Sequence, residues 1–231
     1  MRRGANPRRR ARGGPRMNRK YPVMLDLRGR ACVVVGGGAV ALRKVEGLLE
    51  CTESVRVVSP SIHPGLAALV QAGRVEYLAR AYAPGDLRGV FLVVAATDDP
   101  DTNEAVWQEA EALGVLVNTV DDPPRCSFYV PAVVRRGALT LAISTDGKNC
   151  ALAAALRREL EERFGPEYGP LLDLLGELRD RIRREERDPS RRKALAERLA
   201  TAGLDRLVAC EGLPAARRRA EELVAQRGAT A

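Results

Sequence analysis

A short β-branched run, Ala31-Cys32-Val33-Val34-Val35, ends on Gly36-Gly37-Gly38, and a helical pattern begins directly after it. In that helix Val40, Leu42, Val45, Leu48 and Leu49 are apolar. The spacing Gly36-x-Gly38-x-x-Ala41 gives each small residue a task. The first glycine allows a tight turn, the second lets backbone approach a pyrophosphate, and the small third position lets the helix pack on the strand. Unpaired N–H groups and the helix dipole at the start of such a helix then hold phosphates. A tight turn without a ligand is the alternative.

The pattern continues in the same alternation. Val55–Val58 reads as a second strand closed by Ser59-Pro60, and Ile62–Ala72 as a helix stopped at Gly73. Val75–Leu78 is a short strand and Val90–Ala95 a fully apolar one, ended by Thr97-Asp98-Asp99-Pro100. A helix over Asp101–Leu113 and a strand over Val115–Val120 follow, the latter ended by Asp121-Asp122-Pro123-Pro124. Strands alternating with helices imply βαβ units and a parallel sheet buried on both faces. The pattern then changes: Phe128–Val134 and Ala138–Ser144 predict a hairpin around Arg135-Arg136-Gly137. After it, helices are expected over 150–163, 167–186, 190–201 and 214–226. The expected class is α/β: a Rossmann-type parallel sheet, then a β-hairpin module, then a C-terminal helical domain.

Positive charge is concentrated at one end of the chain. The chain carries +8 over 231 residues, but its first 20 hold nine Arg or Lys and no acid, so the remainder is close to −1. The high isoelectric point belongs to a basic tail over residues 1–17, expected to be disordered. A nucleic-acid role for that tail is disfavoured, because no aromatic residues interleave its arginines. No apolar stretch approaches the roughly 18–20 residues of a membrane span. The five cysteines contain no C-x-x-C, and there is one histidine. A metal site or disulfide framework is not expected, and a cytoplasmic location is.

Ligands of an open parallel sheet bind beyond the carboxyl ends of its strands. The acidic residue that usually holds the cofactor ribose, about 20 positions after the glycines, is replaced here by Ser59-Pro60-Ser61. Asp98, Asp99 and Asp122 read as turn formers or helix caps, with Asp98 a candidate cap for the helix near Asp101. Asp121, one residue closer to its strand, faces the crevice and is the candidate acid/base group. At Ser144-Thr145-Asp146-Gly147-Lys148-Asn149-Cys150 a strand turns into a helix, forming an anion site with Lys148. Cys150 reads as a small buried residue and His63 as a surface one. Tyr-x-x-x-Lys is absent, and Gly147-Lys148-Asn149 lacks the earlier glycine and the Ser/Thr of a phosphate loop.

In order, Tyr21–Arg30, Val33–Lys44, Ala95–Asp99, Asn118–Asp121, Ser127–Ala132 and Ile143–Lys148 resemble the precorrin-2 dehydrogenase family of sirohaem biosynthesis. The resemblance is strong over about 21–165. It implies NAD-dependent oxidation of precorrin-2 to sirohydrochlorin, and in some members Fe(II) insertion to give sirohaem. It implies Asp121 as the catalytic residue and Gly36, Gly37, Gly38, Ala39, Val40, Ser59, Pro60, Ser61 and Thr97 around the cofactor. Ser144, Thr145, Lys148 and Asn149 would meet the tetrapyrrole, whose eight carboxylates also suit Arg125 or Arg136. It implies a cytoplasmic homodimer joined through residues 129–163, between a cofactor domain over 18–128 and a helical domain over 164–231.

There are departures. Asn149-Cys150 stands where the family has Ser-Pro, and Thr145 where it has serine. The methyltransferase half fused in some sirohaem synthases is not expected. A second reading, from another class, is a non-catalytic dinucleotide-sensing module, which would need only the glycine turn.

Overall fold

A computed structural model describes residues 20–226, so the expected basic tail over 1–17 lies outside the described residues. The described chain divides into two units, the first ending at Tyr129 and the second beginning at Val130.

The first unit is a five-stranded parallel sheet. Its strands are β1 (Cys32–Val35), β2 (Val55–Val58), β3 (Glu76–Leu78), β4 (Leu92–Ala95) and β5 (Leu116–Thr119), in the order β3-β2-β1-β4-β5. The helices are α1 (Ala39–Leu49), α2 (Pro64–Gln71) and α3 (Pro100–Leu113). Alternate side chains feed two cores. Cys32, Val34, Val57 and Val94 pack with Ala41 and Val45 of α1 and Leu66 of α2. Val33, Val35, Val93 and Val117 pack with Val106 and Ala110 of α3. Both faces are therefore covered, which is why the strands read as unbroken apolar runs. Each fully buried valine contributes roughly 1.5–3 kcal/mol relative to exposure.

The order of strands reverses between β1 and β4, because the chain builds outward to β3 before returning to β1's other side. At such a switch point the loops leaving the two central strands part and open a crevice.

The second unit begins with the antiparallel hairpin β6 (Ala132–Arg136) and β7 (Leu139–Ile143). The strands reach their turn later than the sequence predicts. The tight connection is Gly137-Ala138, with Gly137 at φ +57°, a conformation that favours glycine. The first strand also starts later, because residues 126–128 are spent along β5. There Asn118 bridges Cys126, and the Ser127 N–H donates to the Val117 carbonyl at 2.8 Å.

Five helices follow: α4 (Cys150–Arg163), α5 (Tyr168–Glu185), α6 (Pro189–Thr201), α7 (Leu204–Glu211) and α8 (Leu213–Ala225). Leu171, Leu174, Leu178 and Ile182 form the inward stripe of α5 and pack on Leu195, Leu199, Leu204, Ala216, Ala220 and Leu223. The helix α7 has no counterpart among the segments expected from sequence. It spans eight residues with only Leu204 buried, and Gly203 at φ +68° separates it from α6.

Among the described residues no helix is long and apolar enough to cross a membrane.

Candidate functional site

The glycine turn lies at the carboxyl end of β1, and its three glycines meet different constraints. Gly36 has φ +121°, and a Cβ there would lie 2.1 Å from the Ala96 carbonyl oxygen beyond β4. Gly37 is closed from the other side: a Cβ would lie 1.9 Å from the Ser61 carbonyl oxygen. The loop after β2 is fastened there, with the His63 N–H donating to the Gly37 carbonyl at 2.7 Å. Gly38 is different. It is exposed, has φ −80°, and nothing lies within 4 Å of its virtual Cβ.

Gly38 is the N-cap of α1 and offers no capping side chain, and the first turn of the helix holds no acid. The N–H groups at Ala39 and Val40 are thus left for an anion, while Ala41 is fully buried against the sheet. These residues fit a dinucleotide pyrophosphate, because the one open glycine lies where the helix dipole points. The loop after β2 offers less than its hydroxyls promise. Ser59 is buried, and its Oγ donates to the Ser61 carbonyl at 2.7 Å, while Pro60 and Ser61 are exposed. Pro60 and Ser61 are thus the residues of this loop left open to a ligand. His63 is on the surface, and its Nδ1 accepts from the Gly65 N–H at 3.0 Å, capping α2.

Beyond β4, the Thr97 hydroxyl accepts from the Asp99 N–H at 2.8 Å. The cap of α3 is Asp99, not Asp98: its carboxylate accepts from Asp101 N–H at 3.3 Å and Thr102 N–H at 3.2 Å. Those bonds, with the Thr102 hydroxyl first, hold the Asp99 carboxyl below its ordinary value. Asp98 is exposed. Asn103 was not singled out by its sequence position. Its Nδ2 donates to the Thr97 carbonyl at 3.0 Å, tying α3 to this loop, and its Oδ1 is buried without a partner. The signal was there in Thr97-Asp-Asp-Pro-x-x-Asn103, a turn former followed by an amide one helical turn on.

Beyond β5 the chain makes a clamped turn. Asn118 is buried and donates from Nδ2 to the Phe128 carbonyl at 3.0 Å, and Thr119 Oγ1 donates to the Arg125 carbonyl at 3.0 Å. The Cys126 thiol lies 3.2 Å from the Thr119 carbonyl and 3.3 Å from that of Asp122. Burial pushes that thiol above its ordinary value, so it stays neutral. Asp121 sits at the crest of the turn, exposed, with φ +59°. Few side chains accept that left-handed conformation as readily as Asp or Asn. The turn therefore lifts one carboxylate out of the sheet at the end of a strand adjacent to β4.

Arg125 is not free to meet a substrate. Its guanidinium pairs with Asp122 and Glu104, each at 2.5 Å, and lies over the Trp107 ring. Asp122 is likewise consumed in that cluster.

In the second unit, Ser144, Thr145, Lys148 and Asn149 lie together between β7 and α4. Most of their polar atoms serve the turn. Asn149 Oδ1 caps α4 by accepting from Leu152 N–H at 2.8 Å, and Thr145 Oγ1 accepts from Asn149 N–H at 3.2 Å. Ser144 Oγ accepts from Asp146 N–H at 3.1 Å, and Lys148 is exposed. Cys150 is exposed rather than buried, since it opens the helix on its outer side. Arg136 is used internally, donating to the carbonyls of Phe164 at 2.8 Å and Glu161 at 3.1 Å. Among the described residues no three His, Cys, Asp or Glu side chains gather as metal ligands.

A parallel sheet with its switch point between β1 and β4, a glycine turn in the crevice and an uncapped helix start define a dinucleotide-binding protein of the Rossmann class. Comparison with known proteins agrees: a family model described as NAD(P)-binding matches residues 23–132, and the central model of sirohaem biosynthesis proteins matches 136–163. "Siroheme synthase 1" of Pectobacterium atrosepticum is 43% identical over 178 residues, covering 77% of this chain and 37% of that protein. "Siroheme synthase" of Methylobacillus flagellatus is 38% identical over 207 residues, covering 90% and 44%. The chain thus spans about two fifths of the length of these curated relatives. Among solved structures, "SirC, precorrin-2 dehydrogenase" superposes with a TM-score of 0.72 at 29% identity, covering 90% of this chain and 98% of that one. Over most of its described length the chain is thus similar to sirohaem synthases and to a precorrin-2 dehydrogenase.

Proposed function

We propose that this chain oxidises precorrin-2 to sirohydrochlorin with NAD⁺, with Asp121 as the proton acceptor. The observation that carries the reading is the clamped left-handed turn that raises the Asp121 carboxylate at the end of β5, the neighbour of β4. Dehydrogenation removes one hydride and one proton. The bound nicotinamide supplies the hydride acceptor. Asp121, exposed at the strand end, would take the proton. Gly38 and the first turn of α1 would hold the pyrophosphate, with Pro60, Ser61 and Thr97 around the ribose and nicotinamide halves. The preference for NAD⁺ rests on the lack of an arginine clamp after β2, where Ser59-Pro60-Ser61 stands.

Lys148 and the uncommitted backbone at the start of α4 remain the candidates for substrate carboxylates in the second unit. None of the five cysteines forms a disulfide, which suits a reducing cytoplasm. A homodimer is supported by apolar side chains left uncovered on α4.

The test is anaerobic mixing with precorrin-2, followed by visible spectra with NAD⁺, then NADP⁺, then Fe(II). NAD⁺-dependent appearance of sirohydrochlorin is expected. A further Fe(II)-dependent change, faster than in protein-free buffer, would add metal insertion to the activity. Asp121→Asn keeps the left-handed turn and removes the base. Its kcat should fall roughly 10²–10⁴-fold while NAD⁺ affinity holds. Full turnover in that variant would remove Asp121 from the reaction, and no oxidation by the wild-type chain would remove the dehydrogenase reading.

A further inference from the structure

An octacarboxylate substrate needs cations near the reacting carbon, yet the arginine nearest the Asp121 turn is committed to Asp122 and Glu104. Another cation lies on α1. On that helix Ala41 and Val45 are fully buried and Leu48 is packed against the core. Lys44 shares that inward stripe at helical spacing, while Arg43, Glu46 and Glu50 lie on the solvated side. Lys44 is half-buried, and Val120 and Phe128, on either side of the Asp121–Cys126 turn, pack against the same core as Ala41 and Val45 of α1.

A lysine in such a place has an ordinary use: its stem covers apolar surface while the ammonium reaches water. Here the compensation is incomplete. Burial, then the Arg43 charge, push the Lys44 ammonium below its ordinary value, and Asp121 and Cys126 oppose this without offsetting it. Cys126 supplies little negative charge, because its thiol is itself pushed up. Lys20 adds a second cation on this side: it acts on Cys126, and its Nζ lies 4.9 Å from the centre of the Tyr129 ring. A half-buried cation beside a single exposed carboxylate leaves room for one more anion.

We propose that Lys44 binds one peripheral carboxylate of the tetrapyrrole beside Asp121, and so selects which ring carbon is presented to that base. This rests on the function proposed above and adds to it a specificity-determining cation on the cofactor helix. Lys44 does no chemistry in this scheme. It holds a charged group of the substrate through a charge-assisted hydrogen bond, a contact that serves affinity and register.

The test uses the full chain and uroporphyrin I, a stable porphyrin with eight carboxylates, titrated by fluorescence. Lys44→Met and Lys44→Gln should each weaken uroporphyrin binding about tenfold or more, while Lys44→Arg stays near wild type. NAD⁺ affinity and the thermal midpoint should hold in all three. With precorrin-2, Lys44→Met should raise KM and lower kcat, so that kcat/KM falls about tenfold or more, and Lys44→Arg should restore both. Equal uroporphyrin affinity in wild type and Lys44→Met would overturn the proposal. So would a parallel loss of stability, NAD⁺ affinity and porphyrin affinity in both Met and Gln variants, which marks a structural lysine. A wild-type chain that binds uroporphyrin through Lys44 but leaves precorrin-2 unoxidised would support the subsite and remove the dehydrogenase reading.

Discussion

Gly36 and Gly38 are the same residue type two positions apart, yet they answer to different partners. Gly36 is required by the fold: its positive φ and the 2.1 Å approach to the Ala96 carbonyl leave no room for a methyl group. Gly36→Ala should therefore cost about 2 kcal/mol or more in urea unfolding, whether or not nucleotide is present. Gly38, at φ −80° and facing open space, is required by no protein atom. Gly38→Ala should leave stability within about 0.5 kcal/mol. It should weaken NAD⁺ binding about tenfold or more, since a methyl group there meets the pyrophosphate. Calorimetric titration of both variants separates the two roles. Tight NAD⁺ binding by Gly38→Ala would move the pyrophosphate elsewhere. The motif's spacing made these two glycines legible in the sequence. Gly37 was legible only as part of the motif: its need for a missing Cβ comes from Ser61, a contact between loops that no local pattern reports.

At the scale of elements, the alternation of apolar runs and helices gave the strand and helix order correctly through β5, because each parallel strand is buried on both faces. The boundaries that shifted did so where a tertiary bond took residues away. Residues 126–128 join β5 through Asn118 and Ser127, and the hairpin starts only after them. The segment between β3 and β4 is the clearest example of structure without regular elements. Arg80 grips Asp86 through two hydrogen bonds of 2.8 and 2.6 Å, the Ala83 N–H adds a third at 2.9 Å, and Leu87 is fully buried beneath. The Arg80 bonds, against an opposing push from burial, hold the Asp86 carboxyl below its ordinary value. A carboxylate depressed on folding stabilises above its unfolded value, about 3.9, and that contribution is lost as pH falls through the lower folded one. Asp86→Asn should thus be less stable than wild type at pH 7 by about 1–3 kcal/mol. The gap should narrow as unfolding is measured at successive pH values below about 4. A gap that stays constant down to the acid limit would show that Asp86 acts through shape and not charge.

At the scale of the whole molecule, the two units differ in how well they bury their own surfaces. The sheet of the first unit is enclosed on both faces, and α5–α8 of the second share a core of eleven buried residues. The hairpin and α4 have no comparable core: Val134 and Ala153 are the apolar side chains they bury. A two-stranded hairpin is marginal without a packed face. On α4, Leu152 and Leu156 lie one turn apart and remain 50% and 36% exposed. Sequence periodicity could not separate such a face from a core-facing one, because both are apolar stripes at the same spacing. The fold distinguishes them by leaving this stripe partly exposed. The homodimer proposed above would cover both leucines and complete the hairpin's packing. Sedimentation should then give about twice the 25.1 kDa chain mass. A double variant, Leu152→Glu with Leu156→Glu, should run as a monomer, because two charges cannot be buried unpaired in an apolar interface. Both substitutions fall on exposed positions, so the variant monomer should keep its α-helical circular dichroism. A wild-type chain that sediments as a monomer would leave the stripe on α4 to a different partner. A double variant that remains a dimer would place the interface on another face of the molecule.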